Sequence, residues 1–357
     1  MIRSCVLMLL CLRVLIAADI GPNIGTDAGT DVEAVAALET GLPRDRAVER
    51  GLVWVRAQAG SDGGLGESNR VALTALGLLA HYANGITPSD PQAGAWMAHG
   101  LDFVLAGQDI DGYLGRIDGS RMYGHGIATL LLAEAAGACG DEAREQRVRD
   151  ALVRALALTL RAQRVNKPAR HRGGWRYSPT DDSADLSLSG WQLLSLHASR
   201  QIGVPVPPEA LLDGAAFARS LIGEQGTVGY ESRGDDHPAL RGLALLVLVL
   251  GQGPNLDQSA APEIAAITRR ITDDPIAWQG SFFYYRAYYD AVGLARAAPL
   301  TWETYGPRLE KLLIDHQAAD GSWPAAPSGS EDLAVYRASM ALLALSVDRH
   351  LLPAHHF

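Results

Sequence analysis

The chain has 357 residues, with 31 Lys and Arg against 40 Asp and Glu, a net charge of −9. That acidic balance excludes a dedicated nucleic-acid binder, which needs a basic face for phosphate. The 38 glycines follow no Gly-X-Y period, so a collagen-like chain is excluded, and three cysteines are too few for a disulfide scaffold. Residues 1–18 read as a secretory signal: Arg3 starts it, a mostly apolar run follows from Cys5 to Leu12, and it ends near Ala18. The expectation is therefore export to a periplasmic or extracellular compartment. Cleavage would remove Cys5 and Cys11 and leave Cys139 alone, without an intrachain disulfide or a multi-thiolate metal site. Residues 19–44, rich in Asp, Gly, Thr and Ala, read as a leader.

No strand-like alternation follows; the apolar stretches are rich in Ala and Leu, the composition of helices. Along the chain, the end of a helix at Gln recurs, followed by a Gly-containing turn and an apolar anchor. Gln58 precedes Asp62-Gly63-Gly64-Leu65, and Gln108 precedes Asp111-Gly112-Tyr113. Gln163 precedes Gly173-Gly174-Trp175, and Gln317 precedes Asp320-Gly321-Ser322-Trp323. Successive glutamines are 50 and 55 residues apart, and the 154 from Gln163 to Gln317 leave room for two degenerate repeats, near Glu224–Gly226 and Asp273–Trp278. Six units result.

The second helix of each unit differs from the first. Segments 71–81, 126–136, 188–198, 239–250, 284–295 and 334–346 are apolar on all sides and must be buried all round, whereas segments such as 303–317 carry a single apolar stripe. This predicts an all-α fold of six helical hairpins over 45–350, in two concentric rings closed into a barrel, with a tail over 351–357. Gly77, Gly126, Gly242 and Gly293 are expected to let helix axes approach closely. An open superhelix is the alternative.

The string Gln317-Ala-Ala-Asp-Gly-Ser-Trp323 resembles the Gln-Trp repeat of triterpene cyclases. Gly173-Gly-Trp-Arg-Tyr-Ser-Pro179 and Asp185-Leu-Ser-Leu-Ser-Gly-Trp191-Gln192 carry the same likeness. On these motifs the chain resembles the prenyltransferase/squalene-oxidase repeat superfamily. That resemblance implies an α/α-toroid with a central cavity, in the form of a short single-barrel exported bacterial protein.

In such a toroid the starts of the inner helices gather at one mouth, where free N–H groups and the helix dipole favour polar sites. Asp181, Asp182 and Asp185 stand at one of these starts and His125 at another. The resemblance makes the aspartates candidates for the cyclases' acid, but the string Asp181-Asp-Ser-Ala-Asp185 lacks the D-x-D-D order, and helix capping by Asp182 or Asp185 is the competing role. His125 is either a proton carrier or a histidine bonded within the fold. The family's zinc site needs Asp-x-Cys; Asp185-x-Ser187 departs from it, so no metal and no cofactor is expected. The Gly-Cys-Gly-Glu-Gln thioester string is absent, and nothing indicates an obligate α-subunit. The expected cavity lining is Tyr123, Trp175, Tyr177, Trp191, His237, Tyr284, Tyr285 and Tyr336, with core packing as the alternative for the aromatic run 282–289. Functionally this points to a toroid binding an apolar small molecule, a lipid-like ligand or a peptide, without intact cyclase or prenyltransferase motifs. The alternatives are an isoprenoid-modifying enzyme with a rearranged Asp site and an interaction scaffold.

Overall fold

The computed structural model describes residues 42–251, 261–329, 331–349 and 352. The signal and nearly all of the leader, together with His350, His355 and His356, lie outside the described residues. The compact unit begins at Pro43. Its helices are α1 (Pro43–Ala57), α2 (Arg70–Tyr82), α3 (Gly94–Ala106), α4 (Arg121–Ala135), α5 (Glu142–Gln163) and α6 (Leu186–Gln201). They continue as α7 (Pro208–Ser220), α8 (Arg241–Leu250), α9 (Ala261–Asp273), α10 (Phe283–Ala297), α11 (Pro299–Asp315) and α12 (Ala334–Leu345). No β-strand occurs among the described residues, and none of their helices is long and apolar enough to cross a membrane.

The even-numbered helices pack side by side in chain order, and α12 returns to α2, which closes the inner ring. The odd-numbered helices cover it from outside; α11 meets α1 at the seam. Burial follows the sequence pattern. Every residue of α8 is buried, whereas α9 buries only Ile267 and Ile271 among its described positions. Glycines set the tightest inner contact: a Cβ on Gly242 would meet the Tyr289 carbonyl at 2.3 Å, and one on Gly293 the Gly242 carbonyl oxygen at 2.2 Å. Gly126 likewise admits Trp191 and Gln192 of α6. Gly77 differs from expectation, facing the turn anchor Leu65 and Val55 of α1 rather than another inner helix.

The repeated glutamine joins one unit to the next. Gln163 Nε2 donates to the carbonyl of its own turn at Gly173 (2.9 Å) and to Ala210 in the next outer helix (2.8 Å). Gln108 does the same to Gly112 and Ala151. Gln317 does it to Gly321 (3.0 Å) and, across the seam, to Ala47 of α1 (2.8 Å). The turn glycine is required there. Gly112, Gly173 and Gly321 have φ of 90°, 86° and 92°, and a Cβ on any of them would run into the carbonyl of Arg154, Asp213 or Arg50 in the next outer helix. Gln58 departs from this pattern: among the described residues its side chain bonds only the Trp54 carbonyl of α1.

The bridge predicts a contrast. Gln163→Ala leaves two carbonyls without their donor and should cost about 2 kcal/mol in urea unfolding. Gln58→Ala, exposed and local, should change stability by less than about 0.5 kcal/mol. Equal losses at the two positions would show that the inter-repeat bond is not what stabilises the ring.

Candidate functional site

All six outer-to-inner turns reach the same end of the barrel, so the inner helix starts surround one mouth. Three of those starts hold non-glycine residues in left-handed backbone: Asn69 (φ 50°), Arg121 (φ 55°) and Phe282 (φ 54°). Such strain persists only where the surroundings enforce it. The enforcing contacts come from the following repeat. Asp118, in the turn before α4, accepts from the Val71 N–H of α2 (2.7 Å). The carbonyls of Tyr177 and Tyr230 accept from Met122 of α4 (3.2 Å) and Leu186 of α6 (3.0 Å). The Glu331 carboxylate accepts from Tyr284 and Tyr285 at the start of α10 (2.9 and 2.8 Å).

Asp185 lies at the centre of the polar network. It is fully buried and caps α6, with Oδ1 accepting from Leu188 N–H (2.8 Å) and the Ser187 hydroxyl (2.9 Å). Oδ2 faces the Arg176 guanidinium at 3.2 Å. Burial pushes the Asp185 carboxyl above its usual range, opposed by these hydrogen bonds and by Arg176. The Tyr123 hydroxyl bonds Ser187 Oγ and so extends the network to α4. Arg176 also pairs with Glu231 at 2.5 Å. Its guanidinium lies 4.7 Å from the Tyr177 ring centroid and 5.4 Å from that of Tyr230, and the two phenol oxygens bond at 2.7 Å. One arginine thus occupies a seat of two carboxylates and two aromatic faces.

Tyrosines from five elements converge above the barrel centre. Tyr123, Tyr177, Tyr230 and Tyr336 are half-buried. Tyr285 and Tyr289 lie deeper, both buried, with ring centroids 4.6 Å apart. Burial raises Tyr285, Tyr289 and Tyr336 well above the ordinary phenol value, and at Tyr285 the neighbouring Tyr123, Tyr336 and Asp185 add to the rise. Beneath them the centre is filled. Trp191 of α6 stacks on Tyr288 of α10 across the ring (5.9 Å, 10° between planes) and meets Tyr289 edge-on.

The structure thus brings Asp185, Tyr123, Tyr177, Tyr285, Tyr336 and Trp191 together. His125 stands apart. It is fully buried, accepts from Leu114 N–H and pairs through Nε2 with Thr159 of α5 (3.0 Å); burial lowers its pKa to about 4, so it is a neutral core histidine. Trp175 and Tyr284 are also core groups, donating to the carbonyls of Thr159 and Pro324. Asp181 accepts from Ser178 N–H within its turn, Asp182 is exposed, and His237 lies exposed on the rim with its ring edge-on to Tyr230. Cys139 is buried, its thiol pushed up to about 12 by burial. Among the described residues no three His, Cys, Asp or Glu side chains group as metal ligands. Sequence reasoning missed Arg176, Ser187, Glu231, Tyr230 and Tyr289. A signal existed for one: Tyr230 stands two residues beyond the anchor Val228, as Tyr177 stands two beyond Trp175, and both anchors close an isolated bridge in their turn.

The raised Asp185 carboxyl has a definite linkage. Folding favours its protonated form, so its stabilising contribution is complete below the ordinary carboxylate value of 3.8 and is lost as pH rises through the higher folded value. Asp185→Asn, which preserves the cap, should remove that part of the dependence. The check is the difference between wild-type and variant urea stabilities across the acidic range; a flat difference would mean that Asp185 titrates as in the unfolded chain.

No family model and no curated protein sequence matches the chain. Solved structures do. An inactive variant of an α-1,6-mannanase from Salegentibacter sp., in complex with α-1,6-mannotriose, superposes with a TM-score of 0.60 at 11% identity, over 85% of this chain and 98% of that one. The type II terpene cyclase MstE from Scytonema gives 0.53 at 13% identity, over 87% and 99%. A protein from Actinoplanes gives 0.52 at 16% identity, over 85% and 98%. At these identities the likeness shows the fold alone: the chain is an α/α-toroid of the architecture that terpene cyclases and glycosidases share.

Proposed function

We propose that this protein is a ligand-binding α/α-toroid whose working surface is the mouth, and that its ligand is an extended peptide segment. The observation that carries this reading is the group of half-buried tyrosines above a filled centre. A lipid seated in the centre would need the volume taken by Trp191, Tyr288 and Tyr289. A peptide at the mouth needs only ring faces for its side chains and hydroxyls for its amides, and tyrosine supplies both at low entropic cost. The strained helix starts around the rim accord with a working surface. Export through the signal over residues 1–18 belongs to the same proposal, because an exported toroid would meet peptide segments of other exported proteins.

A second reading is an oligosaccharide at the same mouth. It is favoured by the mannotriose held in the mannanase of the same fold, and by the pairing of tyrosine faces with Arg176, Asp185 and Glu231, groups suited to sugar hydroxyls. The isoprenoid-enzyme reading rests on the raised Asp185 carboxyl. Its weakness is that both oxygens are already engaged, one of them by Arg176.

Titration of the full chain with a mixed-sequence peptide library and with α-1,6-mannotriose, read by ligand-observed NMR, separates the readings. Peptide binding that weakens about tenfold in Tyr336→Ala, the loss typical of a central aromatic contact, is the expected result. Mannotriose binding without peptide binding would replace the proposal by the second reading.

A further inference from the structure

Charge is unevenly spread along this chain. The net charge is −9, yet residues 151–180 hold seven Lys and Arg and no Asp or Glu, the longest run without a side-chain carboxylate in the sequence. Two of the seven are used by the fold. Arg176 sits with Asp185 and Glu231, and buried Lys167 donates to the carbonyls of Ala162 and Gln163. The other five, Arg154, Arg161, Arg164, Arg170 and Arg172, are exposed, and none has a carboxylate partner among the described residues. Arg154 and Arg161 stand on one face of α5, about two helical turns apart. Arg164 ends that helix, and Arg170 and Arg172 follow in the turn beyond it.

The second observation is apolar. The preceding turn, 107–120, holds Ile110 at 95% exposure, the highest of any large apolar side chain among the described residues, and Ile117 at 73%. Two of the five arginines lie against this turn, on either side of Ile110. Arg154 donates to Gln108 Oε1 through Nε and Nη2 (3.0 and 2.6 Å), and Arg161 Nη2 donates to the Asp111 carbonyl (3.2 Å). Val153, also exposed, adjoins them on α5. The turn's own acids are engaged elsewhere: Asp109 and Asp111 face Arg116 (2.7 and 3.2 Å), and Asp118 accepts from the start of α2. One sector of the barrel end thus carries isoleucine tips beside guanidinium groups that no carboxylate neutralises.

We propose that this sector docks on an anionic lipid bilayer, with Ile110 and Ile117 entering the boundary between headgroups and acyl chains while the five arginines meet lipid phosphates. The inference stands apart from the peptide reading, since none of these side chains belongs to the tyrosine group of the mouth. A guanidinium fork matches phosphate oxygens, and each basic side chain near an anionic surface adds to binding. The isoleucines decide between anionic partners. A soluble polyanion engages the arginines and leaves both apolar tips in water, whereas a bilayer has a place for each.

The test is co-sedimentation of the full chain with two kinds of vesicle, phosphatidylcholine alone and an equal mixture of phosphatidylcholine and phosphatidylglycerol, at low and high ionic strength. Four proteins are compared: the wild type, a tip variant Ile110→Ser/Ile117→Ser, a wall variant Arg164→Gln/Arg170→Gln/Arg172→Gln, and a control Arg200→Gln/Arg233→Gln/Arg269→Gln. The control removes equal charge from exposed positions outside the sector. All the replaced side chains are exposed, so thermal midpoints should hold and show each variant folded. The wild type should partition at least about tenfold more strongly onto the anionic vesicles and come off in salt. Tip and wall variants should each lose about tenfold, and the control little. Soluble polyphosphate, titrated by calorimetry, supplies the other arm. Tight polyphosphate binding with a tip variant that keeps full vesicle binding overturns the proposal, because the arginines then serve any polyanion. Equal losses in wall variant and control overturn it as well, since net charge alone then accounts for binding. Absence of binding to the anionic vesicles overturns it and leaves the peptide reading of the mouth untouched.

Discussion

At three junctions of the ring, one side-chain amide holds a repeat in register with the next. The glutamine at the end of an outer helix has two N–H groups; one goes to the carbonyl of its own turn and the other to the next outer helix. The geometry works only if the turn comes close, and it does because a glycine at positive φ lets its backbone rest on that helix. Gln317 makes the same bond to Ala47, from the last repeat to the first. The seam is therefore closed by the same contact that builds the wall, joined there by Arg349 on Asp45 and Asn84 on Ser346. Arginines reinforce the bond from the next outer helix, Arg154 on Gln108 and Arg50 on Gln317.

A second dependency runs along the inner ring. An inner helix starts with free N–H groups that its own sequence does not always satisfy. Asp118, Glu331 and the carbonyls of Tyr177 and Tyr230 supply partners from the following repeat. Such groups would be costly if buried without partners. The mouth is thus structural first. Its carboxylates cap helices, its loops hold strained residues at Asn69, Arg121 and Phe282, and its exposed chemistry is what this construction leaves over. The remainder is consistent in kind: tyrosine faces and phenol hydroxyls around a centre that Trp191 and Tyr288 fill.

Much of the fold was legible in the sequence because its signals are periodic. Glutamine, glycine and an aromatic anchor recur at a near-constant spacing, and the all-apolar helices alternate with one-faced ones. Both properties belong to single residues and their neighbours in the chain. Asp185 as a cap was legible for the same reason, since the bond reaches only to Leu188. The candidate site was less legible. His125 and Tyr123 stand two residues apart at one helix start, yet a rotation of 200° along the helix sends one to the mouth and the other into the layer between the rings. No local pattern distinguishes them.

By itself, then, the sequence determined an all-helical chain of six hairpins and the ring to which each helix belongs, because burial pattern and turn chemistry are readable residue by residue. Tertiary structure alone decided that the centre is filled, that Arg176 sits between Tyr177 and Tyr230, and that Tyr285 and Tyr289 end beneath the mouth. Those facts depend on which side chains meet between repeats and across the ring, as Tyr177 and Tyr230 do from 53 residues apart and Trp191 and Tyr288 from about a hundred. Such meetings are set by helix rotation and close packing, which no spacing in the chain encodes.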